Sequence, residues 1–374
     1  MIRVAHISTA HHRNELRVHL KECNSLSNSA YDVFFFVADG QGNQRIANVQ
    51  VVDVGIVKGR LDRMLICPWR LMFAARKVNA SVYHFHDPEI LPVSLFLKKN
   101  GAAVIYDSHE DVPRAVLSRT WIPKWIRGFV SFAFESFENL IARKLTVVVG
   151  ATPLITSRFR SVGCNSITIN NFPLLSEIHQ NILNKKRVKR ICFLGGISLA
   201  RGVREIIEAL DRLDCVLTLA GPFDNPETKV VLSKLPGWKK VDYRGNISRE
   251  AVMEIMSESM IGMICYLPEP NHINAYPNKL FEYMSAGLPV VASDFPLWRE
   301  IVEGNGCGIC VDPTNPLEIA RVIKRLISDD EAADIMGQNG KRSVLTTYNW
   351  DLEERKLLNL YAEIMGNAPL VTRS

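Results

Sequence analysis

The chain has 374 residues, with 47% hydrophobic and 22% charged side chains and a formal charge of +6. That length suits two domains of roughly 150 residues each, and the composition is that of an ordinary globular protein. No apolar run reaches the roughly 18–20 residues that a spanning helix needs, and the opening MIRVAHIS leads straight into strand-like residues rather than a secretory signal. Eight cysteines are scattered along the chain, several of them in apolar runs (Cys192, Cys215, Cys265). Such a distribution predicts reduced, buried thiols and a cytoplasmic home.

Short apolar runs alternate with longer amphipathic stretches from the start. Strands are expected at Arg3–Ile7, Val33–Ala38, Val82–Phe85, Val104–Asp107, Thr146–Val149 and Ile167–Ile169. After the first of these comes a polar, basic loop, Thr9–Arg17, which carries His11, Arg13 and Arg17. His84-Phe-His86-Asp87-Pro88-Glu89 follows the third, and Asp107-Ser-His109-Glu110-Asp111 the fourth. Two neighbouring strand ends would set these groups on one rim. His86, Asp87, His109 and Glu110 could ligate a metal. They equally suit sugar-hydroxyl binding and acid/base work, and Asp87 and Asp111 could simply cap helices.

Residues 114–143 then mix Trp121, Trp125, Phe129, Phe132, Phe134 and Phe137 with Arg119, Lys124 and Arg127. Two readings stay open there: core packing of a helix, or a helix lying against a membrane surface. No nucleic-acid module accompanies these residues, so no nucleic-acid partner is expected. Residues 1–172 hold 21 Lys and Arg against 13 Asp and Glu. This excess of positive charge favours an anionic partner, such as a membrane surface or a phosphate-bearing acceptor.

Ser176–Lys189 is polar and ends in NKKRVKR, a linker by composition, and the strand pattern restarts beyond it. Expected strands are Arg190–Leu194, Val216–Ala220, Val241–Tyr243, Ile261–Tyr266, Val290–Ala292 and Gly308–Val311. The alternation predicts α/β architecture: two doubly wound domains, 1–175 and 186–350, with parallel sheets and a cleft between them. Ligand contacts are then expected in loops beyond the carboxyl ends of strands.

In the second half, Gly195-Gly196-Ile-Ser-Leu-Ala-Arg201-Gly202 joins a strand to a helix. Backbone N–H groups and Arg201 there could meet a phosphate, although this is not the dinucleotide G-x-G-x-x-G pattern. Asn274–Ser293 offers a second strand-to-helix turn. Pro277 suits the first helical turn, Lys279 and Glu282 share a face, and Gly287 with Pro289 ends the helix. Lysine at a helix start suits phosphate, and a carboxylate one turn deeper suits sugar hydroxyls. The alternative is a surface helix with an i,i+3 ion pair. Cys307-Gly-Ile-Cys310 has metal or redox spacing but no second pair and no nearby histidine, so it reads as a strand with two thiols.

Taken together, HHRNELRVHLKEC, HFHDPEILP, VIYDSHEDVPR, GGISLARGV, YPNKLFEYMSAGLPVVASDFPLWREIV, CGICVDPTNP and YNWDLEERKLLNLY make the chain resemble the family-4 retaining glycosyltransferases of the GT-B fold. The likeness is to the bacterial branch that builds lipopolysaccharide, capsule and exopolysaccharide. It implies two Rossmann-like domains, the first completed by a C-terminal helix at about 352–370. The donor would be a nucleotide diphosphate-sugar, with UDP as the expected carrier. The resemblance assigns Arg201 and Lys279 to the diphosphate and Glu282 to the ribose. Gly245 and Ile247 would hold the base, and His109 would face the reacting centre. Gly195, Gly196, Asn274, Ala275, Tyr276 and Leu280 complete the donor set. His11, Arg13, Arg17, His86, Asp87 and Glu110 are the acceptor-side candidates, for a glycan or lipid-linked oligosaccharide. Asn274 stands where the family's first glutamate of E-x7-E falls, and Gly196 where its usual arginine falls.

The mechanism so implied is same-face attack with retention. Cations take the place of a metal and no cofactor is needed. The expected location is cytoplasmic, at the inner face of a membrane. Two alternatives share the fold: a non-hydrolysing nucleotide-sugar 2-epimerase and a silent nucleotide-sugar-binding partner.

Overall fold

The computed structural model describes residues 1–98, 101–119, 122–176 and 189–366. Trp121, most of the expected linker and the last residues of the expected C-terminal helix lie outside the described residues. The chain divides into two compact units, one of Met1–Asn171 with Trp350–Ser374 and the other of Phe172–Asn349.

The first unit is built on eight strands: β1 (Ile2–Ile7), β2 (Tyr31–Val37), β3 (Gln44–Ile46), β4 (Val49–Asp53), β5 (Val82–Phe85), β6 (Ala103–Ser108), β7 (Val147–Gly150) and β8 (Ser166–Thr168). Their order in the sheet is β3-β4-β2-β1-β5-β6-β7-β8. All neighbours run parallel except the edge hairpin β3–β4, which departs from the all-parallel expectation. β5 and β7 are buried along their whole length, as strands covered by helices on both faces must be. The helix Trp350–Ile364 belongs to this unit. Trp350 Nε1 donates to Ser25 Oγ at 3.0 Å, and Glu353 accepts from the backbone and side chain of Asn170 at 2.9 and 3.1 Å.

The helix Lys124–Ala142 overturns the core-packing reading of the aromatics. Trp125 is 86% exposed, Phe129 75% and Phe132 70%. Its buried side carries Ser131, Glu138, Ile141 and Ala142 instead.

The second unit has six parallel strands: β9 (Arg190–Leu194), β10 (Val216–Ala220), β11 (Val241–Gly245), β12 (Ile261–Ile264), β13 (Val290–Ser293) and β14 (Gly308–Val311). Their order is β11-β10-β9-β12-β13-β14. The order reverses direction between β9 and β12, the switch point at which open α/β sheets leave a crevice. β12 stops two residues short of expectation, its pairing with β13 ending at Ile264. The Cys265 carbonyl packs so close to Gly202 that a Cβ there would lie 1.7 Å from its oxygen.

Candidate active-site residues

Glycines shape the strand ends of the second unit. Gly195, Gly221 and Gly245 follow or end β9, β10 and β11, with φ of +125°, +136° and +64°. The Gly195 N–H donates to Ala220 O at 2.8 Å and the Gly221 N–H to Gly245 O at 2.8 Å. A Cβ on Gly221 would lie 2.0 Å from Gly195 O, so the first two turns meet backbone to backbone.

Arg201 sits in the tight turn Leu199–Arg201, ahead of the helix Val203–Leu210. Its Nη1 donates to Gly196 O at 2.9 Å, and its guanidinium lies 5.4 Å from the centre of the Tyr266 ring. A Cβ on Gly196 would stand 3.0 Å from that Nη1, so the glycine leaves the guanidinium its seat. Burial lowers the His272 pKa, a backbone bond to Leu267 O partly restores it, and the Arg201 charge lowers it further.

Lys279 opens the helix Asn278–Ser285. Pro277 is its N-cap, one position earlier than the first-turn expectation. Lys279 Nζ lies 2.6 Å from Glu282 Oε2, so the i,i+3 pair forms. Arg249 Nη1 donates to the same oxygen at 3.0 Å. Arg249 went unnoticed in the sequence, because it begins another helix 33 residues earlier. Asn274 is exposed, and Ala275 O accepts from Trp298 Nε1 at 2.8 Å. The Tyr276 ring is tilted against Phe172 and meets Phe281 edge-on, and half-buried Ile247 packs on the same cluster. Leu280 departs from its donor-contact expectation. Its side chain is fully buried, and its N–H is taken by Pro277 O at 2.9 Å.

In the first unit, Asp87 organises the loop after β1. Its Oδ2 accepts from Ser8 Oγ at 2.6 Å and from the Thr9 N–H at 2.8 Å. Burial pushes its pKa up, but nearby His11 and these hydrogen bonds outweigh that and hold it below the usual range. Asp107 is a second hub. Arg17 grips both its oxygens at 2.9 and 2.8 Å, and His109 Nε2 lies 2.9 Å from Oδ2. Burial opposes ionisation there, yet the Arg17 charge keeps Asp107 far below the carboxylate range. His109 thus gives Nε2–H to a carboxylate, which fixes the orientation of its ring. The ring of His11 lies 4.9 Å from that of His109, and Glu110 is exposed beside it. Burial drives the His86 pKa down to about 4 despite Asp107 at 3.3 Å.

Arg13 and Arg17 are closed into the structure rather than offered at the rim. Arg13 binds both oxygens of Asp39 at 2.8 and 2.7 Å, together with Gly42 O and Gln44. Arg17 is 2% exposed. Among the described residues, His86, Asp107 and His109 could converge on a metal ion; Asp87 and Glu110 do not join that group.

The comparisons bear on the second unit first. Residues 176–343 match the family described as "Glycosyl transferases group 1". Residues 176–343 are thus similar to a group 1 glycosyltransferase domain. An uncharacterized glycosyltransferase of Methanocaldococcus jannaschii is 30% identical over 186 residues, 48% of this chain and 46% of that one. The alpha-D-kanosaminyltransferase of Streptomyces kanamyceticus is 28% identical over 46% of this chain and 45% of its own. The chain thus spans about half the length of these curated relatives. The MMP alpha-(1->4)-mannosyltransferase of Mycolicibacterium hassiacum is 21% identical over 75% of this chain and 70% of that one. Among solved structures, sucrose-phosphate synthase from Thermosynechococcus elongatus superposes with a TM-score of 0.76 at 14% identity, covering 98% and 100% of the two chains. Anabaena HepE, solved with UDP-glucose, gives 0.72 at 14% identity, over 97% and 100%. The fold is therefore GT-B, with two Rossmann-like domains on parallel sheets.

Proposed function

We propose that this protein is a retaining glycosyltransferase that moves a sugar from a nucleotide diphosphate-sugar, with UDP as carrier, to a lipid-linked glycan in surface-polysaccharide assembly. The observation that carries this reading is the pairing of two cations on two strand-to-helix turns, Arg201 and Lys279, inside the segment similar to a group 1 domain. Both are partly exposed, and each is held by one hydrogen bond or ion pair that a diphosphate can replace, with Arg201 also beside the Tyr266 ring. Glu282 is kept beside Lys279 and Arg249, where it can accept from ribose hydroxyls. HepE, a protein of the same fold, was solved with UDP-glucose, which supports UDP.

In the reaction, the bond from the anomeric carbon to the β-phosphate oxygen breaks while the acceptor oxygen bonds to the same face of that carbon. The acceptor's proton passes to the departing phosphate oxygen. Arg201, Lys279 and the helix start at Asn278 stabilise the growing charge. His109, oriented by Asp107, contacts the transferred sugar. These cations fill the role that a metal plays elsewhere, so transfer should proceed without added Mg²⁺ or Mn²⁺. The exposed Trp125, Phe129 and Phe132 beside Lys124 form a face suited to anionic lipid.

The test is incubation with UDP- and GDP-sugars, with and without a lipid-linked acceptor. Transfer needs both substrates. Release of an altered nucleotide-sugar without acceptor would favour the epimerase, and binding without turnover the silent partner. The group 1 match favours transfer over both.

A further inference from the structure

We propose that His6, Glu22, His84 and His86 form a buried site for a divalent transition-metal ion of the zinc class, adjoining the Asp107–His109 pair through His86. One ligand atom from each of the four lies within 4.8 Å of the others. The fold builds the group from two neighbouring strands and one helix. His6 of β1 is the register partner of His84 in β5, and His86 lies two residues on, on the same face. Glu22 comes down from the π-helical segment Leu16–Cys23. All four are buried.

The hydrogen bonds sort the ring nitrogens into outer and inner ones. On the outside, His84 Nδ1 meets the Tyr361 hydroxyl at 3.0 Å, His6 Nε2 meets the same hydroxyl at 3.3 Å, and His86 Nδ1 meets Asp107 Oδ2 at 3.3 Å. On the inside, His84 Nε2 has no hydrogen-bond partner, and His6 Nδ1 and His86 Nε2 face each other at 2.9 Å. Among the described residues, neither carboxylate oxygen of Glu22 has a hydrogen bond of good geometry. Oε2 lies 3.9 Å from His6 Nδ1 and 4.0 Å from His86 Nδ1, and Oε1 pairs with Arg17 Nε at 3.2 Å, beside the Asp107 carboxylate.

An imidazole nitrogen buried without a partner, and a buried carboxylate with an ion pair but no hydrogen bond of good geometry, are each costly by about 1–3 kcal/mol. A bound cation removes both costs. The outer contacts are those that ligating histidines make, a carboxylate or hydroxyl on the far nitrogen fixing the tautomer and ring plane. Three imidazoles and one carboxylate, with no thiolate, suit zinc rather than magnesium or calcium. Metal bonds of about 2.0–2.2 Å place tetrahedral ligands roughly 3.3–3.6 Å apart, so a pair at the 4.8 Å limit must close by about 1.2–1.5 Å. With all four protein ligands used, the ion is structural. It ties β1, β5 and the Leu16–Cys23 segment together and, through Tyr361, the helix Trp350–Ile364.

The experiment uses the full chain, purified without a histidine tag or chelator. Metal analysis is expected to find about one zinc per chain. After stripping with dipicolinate, Co²⁺ titration should saturate at the same stoichiometry with visible bands of tetrahedral intensity, and the stripped protein should melt several degrees lower. His84→Ala and Glu22→Gln should each lose the ion, while His12→Ala, at an exposed position, keeps it. A folded wild-type chain with no retained zinc and no cobalt bands would overturn the site. So would full binding in His84→Ala and Glu22→Gln. If either variant fails to fold, the wild-type cobalt titration decides alone.

Discussion

In the first unit, Arg13 and Arg17 are 4% and 2% exposed, and each closes on both oxygens of a carboxylate. In the second, Lys279 is 21% exposed and holds one oxygen of Glu282, while half-buried Arg201 holds one carbonyl. The same residue types therefore serve different ends. A bidentate pair sealed from water has no cheaper partner to exchange for, because taking either charge away leaves the other stranded. A cation on one exposed contact can leave it for a phosphate at small cost. Available charge, rather than charge itself, marks the binding half.

The comparison breaks most sharply at Arg17. Arg17→Met strands Asp107 in the core and should cost about 3–5 kcal/mol in urea unfolding of the first unit. A loss under about 1 kcal/mol would mean that Arg17 is not the support of Asp107. Lys279→Ala should do the reverse. The melting temperature should hold, while affinity for UDP-sugar falls by about 10–100-fold, from one charge-assisted bond of about 1.5–3 kcal/mol. Glu282→Ala should weaken the donor similarly. Unchanged donor affinity by calorimetry in both variants would remove the proposed site.

Much of this was legible in the sequence, and the gaps have physical causes. Val82–Phe85, Arg190–Leu194, Val216–Ala220 and Gly308–Val311 fall where the apolar runs put them, since strands buried on both faces are continuous in hydrophobicity. Gln44–Ile46 and Val49–Asp53 were missed. The first is three exposed or half-exposed residues at a sheet edge, and edge strands carry little apolar signal. The pairing of Lys279 with Glu282 was readable from helical spacing, but Arg249 joins them through tertiary packing alone. Arg13 and Arg17 looked like rim cations because a polar loop gives no sign of its buried acceptors, Asp39 and Asp107. The histidines of β1 and β5 were readable in principle. His6 and His84 sit in apolar strands where a polar side chain must find partners.

The aromatic helix Lys124–Ala142 sharpens the contrast from another side. The first unit buries Arg13 and Arg17 yet exposes Trp125, Phe129 and Phe132. Trp125→Ala should weaken binding to anionic vesicles by about 10–150-fold, from the 1.5–3 kcal/mol that burying a large apolar side chain contributes. It should leave donor affinity and unfolding untouched. Equal vesicle binding by wild type and variant in a flotation assay would show that this face has another use.

The thiols carry the smallest expected effect, because there the two units agree. Burial pushes Cys67 and Cys215 up to about 11, and Cys307 and Cys310 up to about 12. At pH 8 the reactive thiolate is then scarce at each of them, and the spacing of Cys307 and Cys310 confers no redox chemistry. A thiol reagent should therefore leave the native absorbance almost flat, then count all eight cysteines once the chain is unfolded. Rapid reaction of Cys310 in the folded protein, located by mass spectrometry, would break this agreement. It would also return C-x-x-C to the functional candidates, since a half-buried thiol reacts quickly only if something nearby lowers its pKa.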